Sequence, residues 1–321
     1  MQTDRRGLTL DGPLAVGTDG TQDAHRAVRW AASEARSRGR PLSIVHATRT
    51  GSGHPRLTAR GVHQAKDRAV EVLDEAADLA RETAPGITLS TTACPYGTSA
   101  CLLGEAAHDG TVVVGTRGHG GFLALLVGSD ALRVAARAHV PVVVVPGRER
   151  SRPAEVVLVA ARDERDREPV RLAARSRPAE VVLVAARDER DREPVRLAAD
   201  LALRRGAALH VFSAWIFLEN VGSMATMFGD PADLAAAEAA EASRIVAELR
   251  TDRPGLRVVH DVVRAASAAA VLVAATADAD AVVIGSRRRS SPVGAPLGHV
   301  THAVLHHAHC PVLLTPLTDR G

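Results

Sequence analysis

Short apolar runs and helical patterns alternate along the whole chain. Leu14-Ala15-Val16-Gly17-Thr18 is a brief apolar run that ends in the polar turn Asp19-Gly20-Thr21. A run this short, closed by glycine, predicts a buried strand. From Ala24 to Arg38 the apolar residues Ala27, Trp30, Ala31 and Ala35 recur at helical spacing. Thr21 or Asp23 is placed to cap that helix, and Gly39 to end it. A second strand is predicted over Leu42–Ala47, followed by a polar loop to Arg60. A long amphipathic helix over 62–82 has Val70, Leu73, Ala77 and Ala80 on one face, and Pro85-Gly86 breaks it. The pattern then predicts a strand over 88–93 and a helix over 99–108. A strand ending at Gly115, a glycine loop, a helix over 129–138 and a strand over Val142–Val145 complete the half.

Strict β-α alternation predicts a parallel sheet with helices on both faces. Two doubly wound orders fit, 2-1-3-4-5 and 3-2-1-4-5; in the second, the first and fourth strands are neighbours. Ligands bind such sheets at the carboxyl ends of the strands, where the winding reverses. The second half repeats the pattern, with strands over 180–186, 208–214, 256–263, 281–285 and 312–315 and helices between them. Its loop over 215–230 is unusually apolar, carrying Trp215, Phe217, Met224, Met227 and Phe228. The segment Arg150–Ala174 recurs unchanged at Arg175–Ala199. Only the second copy runs directly into Asp200-Leu201-Ala202-Leu203, so 180–186 is expected to be the first strand of this half and 150–174 a surplus insert. The expected division is 1–149, a duplicated linker at 150–174, and 175–321.

Val112–Ser129 carries the clearest candidate chemistry. The apolar run ends in Gly115; Gly118, Gly120 and Gly121 follow, and Gly128-Ser129 opens a helix. Glycines let the backbone approach a ligand closely, and a helix N-terminus favours an anion. No Gly-Lys-Ser/Thr follows, so this is not a Walker A loop, and the spacing does not fit G-x-G-x-x-G. The alternative is an ordinary strand-loop-helix connection. Asp19 likewise reads either as a capping aspartate or as a ligand contact.

Composition narrows the partners. The chain has 321 residues, 46% hydrophobic and 24% charged, with net charge +3. Basic and acidic residues interleave, as over Arg162–Arg167, which argues for a solvated surface and against a nucleic-acid patch. No run of eighteen apolar residues and no leader pattern at Met1–Leu10 is present, so a cytoplasmic protein without membrane partners is expected. Cys94, Cys101 and Cys310 are scattered and odd in number, and ordinary thiols are expected. His299, His302, His306, His307 and His309 beside Cys310 invite a metal reading, but no carboxylate or second cysteine completes a set.

Gly115-Thr-Arg-Gly118, nine residues, then Gly128-Ser129 resembles the G-2x-G-9x-G-(S/T) signature of universal stress proteins. Gly17-Thr18-Asp19-Gly20-Thr21, Val45-His46-Ala47 and Pro141–Pro146 resemble the same family, over about 10–147 and 180–318. The resemblance implies two tandem doubly wound five-stranded parallel sheets, Rossmann-like, each of order 3-2-1-4-5. It implies ATP as ligand in many members, here with or without Mg2+. Carried over, Asp19 and Ala47, with the Gly17-Thr18 turn, would meet adenine and ribose. Gly115, Gly118, Gly128 and Ser129 would cradle ribose and phosphates. It also implies pairing of the last strands, Val142–Val145 and Val312–Thr315, in a homodimer or within one chain. The second half departs from the signature. Arg288 stands for the second glycine, His299 for Ser/Thr, and Ala185-Ala186-Arg187-Asp188 for the first turn, so weak or absent ATP binding is expected there.

No catalytic constellation is visible: no positioned base, no Walker lysine, no paired metal carboxylates. The expectation is a non-enzymatic, nucleotide-responsive stress-adaptation protein. An ATP-independent interaction module, using the last strands and the 215–228 loop, is the alternative; a nucleotide alpha-hydrolase-like enzyme is a third.

Overall fold

The structure, a computed structural model, describes residues 8–51, 58–107, 109–116, 127–147, 181–186, 189–216, 231–265, 267–287 and 297–317. The N-terminal half runs β1 (Leu14–Gly17), α1 (Gln22–Arg38), β2 (Leu42–Ala47), α2 (Ala59–Thr83), β3 (Leu89–Cys94), α3 (Thr98–Glu105), β4 (Thr111–Gly115), α4 (Ser129–Arg137) and β5 (Val142–Val145). The C-terminal half runs β6 (Val181–Ala185), α5 (Arg192–Arg205), β7 (Ala208–Ile216), α6 (Pro231–Asp252), β8 (Val258–Ala265), α7 (Ala268–Ala275), β9 (Ala281–Arg287), α8 (His299–His307) and β10 (Val312–Leu317). Thr21 caps α1 by accepting from the Ala24 N–H. Gly39 and Gly206 end α1 and α5 in the left-handed region, with φ of 61° and 60°, where glycine pays no Cβ penalty. On α2 the buried stripe is Ala69, Val72, Leu73, Ala76, Ala77 and Ala80. Val70, expected on that face, is 58% exposed; the inward stripe is centred on Leu73 and Ala76, and Val70 points away from it.

Each half has the order 3-2-1-4-5, and the two halves join into one sheet, β3-β2-β1-β4-β5-β10-β9-β6-β7-β8. The joint is the antiparallel pair β5–β10, with Val144 opposite Val312, Val143 opposite Leu313 and Val142 opposite Leu314. The last strands thus pair within a single chain. All four β5 valines are buried, which suits a strand covered on both faces. One core layer packs α1, α2, α5 and α6 on the sheet; the other packs α3, α4, α7 and α8. The first strand of the second half comes from the second copy of the duplicated segment. The insert expected at 150–174 and the apolar loop over 217–230 lie outside the described residues.

Ion pairs fasten α5 to the N-terminal half. Glu34 of α1 accepts from Arg38 at 2.8 Å and from Arg205 at 2.6 Å. Arg205 also lies 5.8 Å from the centroid of the Trp30 ring, within cation–π reach. Arg204 pairs with Asp11 at 2.7 Å.

One expectation is corrected. Cys94 and Cys101 are not separate thiols but a disulfide, with Cα atoms 5.9 Å apart. The seven-residue spacing carries the chain from the end of β3 into the second turn of α3, which folds back against the strand. Cys310 is buried and not disulfide-bonded.

Candidate functional site

The strand order puts the winding reversal between β1 and β4, which pair in parallel from Leu14–Thr111 to Val16–Val113. A crevice of about 550 Å³ opens at their carboxyl ends. Seven of the eight positions singled out in the sequence line it: Gly17, Thr18, Asp19, Ala47, Gly115, Gly128 and Ser129. Gly118 lies outside the described residues. Separate segments of the chain thus meet in one place, because the topology gathers their strand ends.

The first turn is held by its own hydrogen bonds. The Thr18 N–H donates to the Val45 carbonyl at 3.0 Å, and His46 Nδ1 donates to the Thr18 carbonyl at 2.9 Å. Asp19 Oδ1 accepts from the Thr21 N–H at 3.1 Å and the Thr21 hydroxyl at 2.7 Å. Asp19 thus shapes the turn, and it also lines the crevice. Gly20 takes φ of +80° there, a conformation that favours glycine.

Gly115 has a packing reason beside the one its loop suggests. A Cβ at 115 would meet the Asp23 carbonyl oxygen at 2.7 Å and carbon at 2.8 Å. The glycine is needed for β4 to pass the first turn of α1, whatever the crevice holds. Beyond it, the Thr116 hydroxyl donates to Asp23 at 3.2 Å and accepts from the Gly147 N–H at 2.9 Å.

Two helices begin at the crevice. Gly97 precedes α3 and Gly128 precedes α4, and neither has a side chain to cap the first turn. Helix N-termini concentrate unpaired N–H groups and positive partial charge, so this end of the sheet favours an anion twice over. Among the described residues, the charged side chains on the walls are Asp19, Arg49, Arg68 and Asp130. Arg49 donates to Asp130 and, at 3.4 Å, to the Thr98 hydroxyl, which itself donates to Asp130 at 2.9 Å. Sequence reading missed Arg49, Arg68, Thr98 and Asp130. Asp130 carried a faint signal, as an acid in the first turn of a helix.

Among the described residues, the second half places different side chains at equivalent positions. The Ala186 N–H donates to the Phe212 carbonyl at 3.0 Å, as Thr18 does to Val45. That correspondence sets Ala185 and Ala186 where the first half has Gly17 and Thr18, and Ser213 where it has His46. Ser213 also repeats the bond to the turn carbonyl, donating to Ala186 at 2.8 Å. Phe212, bulkier than Val45, fills its position. Gly285 faces the Leu317 side chain rather than a helix backbone. Arg288 lies outside the described residues. On α8, His302 and His306 stack with ring centroids 4.4 Å apart. No group of three or more His, Cys, Asp or Glu that could hold a metal ion occurs among the described residues.

The sequence profile of the universal stress protein family matches residues 12–146 and 178–316. A universal stress protein of Mycobacterium tuberculosis is 28% identical over 311 residues, covering 94% of this chain and 96% of that protein. One from Mycolicibacterium smegmatis is 28% identical over 309 residues, with the same coverage. Among solved structures, a universal stress protein from Archaeoglobus fulgidus superposes with a TM-score of 0.67 at 16% identity, covering 98% of this chain and 99% of that one. A putative universal stress protein from Pseudomonas aeruginosa gives 0.55 at 17% identity, over 96% and 93% of the two chains.

Proposed function

The chain belongs to the universal stress protein family, and we propose that its N-terminal half is an ATP site whose occupancy is read out as a change of conformation or association. The observation that carries this is the convergence of Gly17, Thr18, Asp19, Ala47, Gly115, Gly128 and Ser129 on one crevice at the β1–β4 reversal. Its volume falls within the roughly 300–1,000 Å³ usual for small-ligand sites. In this reading Asp19 accepts from a ribose hydroxyl, Ala47 packs on the base, and the Gly128-Ser129 turn, with Gly118, donates N–H groups to phosphate. Mg2+, when it accompanies ATP, is held chiefly by the phosphates, as is usual for this ion.

The working division is 1–149 as the nucleotide domain, 150–174 as a duplicated linker and 175–321 as a degenerate partner domain. Ala185, Ala186 and Phe212 support the loss of the second site. The β5–β10 joint gives the chain an internal pseudo-dimer. ATP can bias a conformational or associative equilibrium only by binding its two states unequally. We assign no catalytic role: the crevice walls hold Asp19 and Asp130, but the first is tied into its turn and the second to Arg49. No helix among the described residues is long and apolar enough to cross a membrane, and a cytoplasmic location remains part of the proposal.

Calorimetric titration of ATP into the whole chain tests the reading. Wild type should bind, and Asp19→Ala and Gly118→Arg should bind at least tenfold more weakly. Absence of heat from wild type at millimolar ATP would sink it. Turnover of ATP to ADP or AMP well above background would instead favour the hydrolase alternative.

A further inference from the structure

We propose that Arg49 selects ligands by phosphate number, and that Asp130 is its internal competitor; this rests on the ATP reading above. Arg49 lies two residues beyond the end of β2 and takes φ of 54°. A non-glycine residue with positive φ is uncommon and is maintained only where its surroundings insist. Here they do. On one side Thr48 donates from N–H to the Cys94 carbonyl at 2.8 Å, and on the other the Gly51 N–H donates to the Pro95 carbonyl at 2.8 Å. The segment that receives both bonds is cross-linked by Cys94–Cys101. The bend is therefore fixed, and it sends the Arg49 side chain across to the first turns of α3 and α4.

At that point Arg49 meets Asp130, 81 positions away in sequence. Asp130 occupies the first turn of α4, where an anion is most favoured. The carboxylate stands in for the negative charge that the two helix starts and Arg49 are arranged to receive. The pair is open to water, with side chains 49% and 38% exposed, so exchanging it costs little. A phosphate chain offers Arg49 a bidentate partner of higher charge than a carboxylate. Among the described residues, the walls carry two arginines, Arg49 and Arg68, and two aspartates, Asp19 and Asp130. A nucleoside brings no charge to exchange and leaves the Arg49–Asp130 pair closed. A triphosphate must draw Arg49 away from Asp130, and gains its charge by doing so.

The experiment is titration of adenosine, AMP and ATP, each with Mg2+ and with EDTA, into wild type, Arg49→Gly, Arg49→Lys and Asp130→Asn. Glycine suits the left-handed backbone at position 49, so a loss in that variant belongs to the side chain. Arg49→Gly should weaken ATP at least tenfold, AMP less, and adenosine less than twofold. Arg49→Lys should recover part of the ATP affinity. Asp130→Asn should strengthen ATP about three- to tenfold and leave adenosine unchanged. Equal losses for adenosine and ATP in Arg49→Gly would overturn the proposal, as would weaker ATP binding in Asp130→Asn, with or without Mg2+. A wild type that binds all three ligands equally refutes the selection alone. One that binds none refutes the ATP reading, and the selection with it.

Discussion

Replacing Glu34 by glutamine tests how the two halves are held together. The Arg38 side chain is 2% exposed, Glu34 6% and Arg205 14%. Removing the carboxylate's charge leaves two guanidinium groups facing one neutral amide in a nearly dry site. Breaking a buried pair from one side costs about 3–5 kcal/mol. The glutamine oxygen can still accept from Arg38, and Arg205 keeps some water, which sets the expected loss near the lower end, about 3 kcal/mol. For 321 residues unfolding together, an entropy of about 2.1 cal/mol/K per residue turns this into a fall in Tm of roughly 4–5 °C. Acid dependence adds a second readout. Burial is the largest influence on Glu34 and raises its pKa, but the charges and hydrogen bonds of Arg38 and Arg205 together leave it below the ordinary 4.5. A carboxyl lowered on folding stabilises fully above its unfolded value, and that contribution is lost as pH falls through the folded value. Burial also lowers Arg38, against the pull of Glu34, but arginine does not deprotonate in proteins, so Glu34 governs the acid limb. Urea unfolding from pH 7 to 3 should show wild type losing stability below pH 4.5 more steeply than Glu34→Gln. A cycle with Arg205→Gln should give a coupling above about 1 kcal/mol. A loss under 1 kcal/mol at pH 7, or no coupling, would refute the reasoning.

Other outcomes follow from single contacts. The disulfide closes a loop with a sequence separation of 7, and the chain-entropy relation gives about 2.5 kcal/mol for it at 25 °C. Urea unfolding with and without a dithiol reductant should show that difference. Thiol counting on the unreduced, unfolded chain should find Cys310 alone; three reactive thiols would show that the bond does not form. Gly115→Ala places a Cβ against the Asp23 backbone and should cost about 1–3 kcal/mol. At Gly104 in α3 a Cβ meets nothing within 4 Å, so Gly104→Ala should stabilise by about 0.5 kcal/mol; chemical denaturation of the pair reads both signs. Burial, ahead of the opposing Asp261, lowers the pKa of His210 and His260 below 6.5. An unfolded state that binds more protons makes stability fall as pH drops below 6.5. That slope should be shallower in His260→Gln, and an unchanged slope would remove His260 from the account.

What the sequence made legible was whatever local pattern and strand order decide. Period and punctuation locate the strands, and the reversal rule then brings Asp19, Gly115 and Gly128 together without any knowledge of side-chain packing. Arg49 shows where this stops. Its role depends on a left-handed backbone bend, and nothing in Ala47-Thr48-Arg49-Thr50 announces one. Thr98 and Asp130 join it from two helices, 32 positions apart in sequence, a proximity that only packing α3 beside α4 creates. Cys94 and Cys101 were misread because spacing was counted along the chain, whereas a strand that turns straight into a helix brings positions seven apart into bonding range. At Gly115 packing adds a requirement that the loop pattern does not show: the close neighbour is the Asp23 backbone.

The Glu34 cluster carries this further, because its asymmetry belongs to a chain with two joined halves. Arg38 and Arg205 occupy equivalent places, each the last residue of its helix before a left-handed glycine. Glu34 lies four residues before Arg38; the same position before Arg205 is Leu201, 2% exposed. Among the described residues, Glu34 thus pairs with both arginines. Two identical subunits meeting on the same face would bring two copies of the acid with two of the arginine, and each arginine could pair with its own neighbour. A single chain is free to discard one acid and replace it with a buried leucine, which removes one charge from the interior and leaves the other to bridge the halves. The same freedom extends to the strand ends that form the first half's crevice. Once β5 and β10 are paired within one chain, the second half can give up Gly17 and Thr18 for Ala185 and Ala186 while still forming half of the sheet.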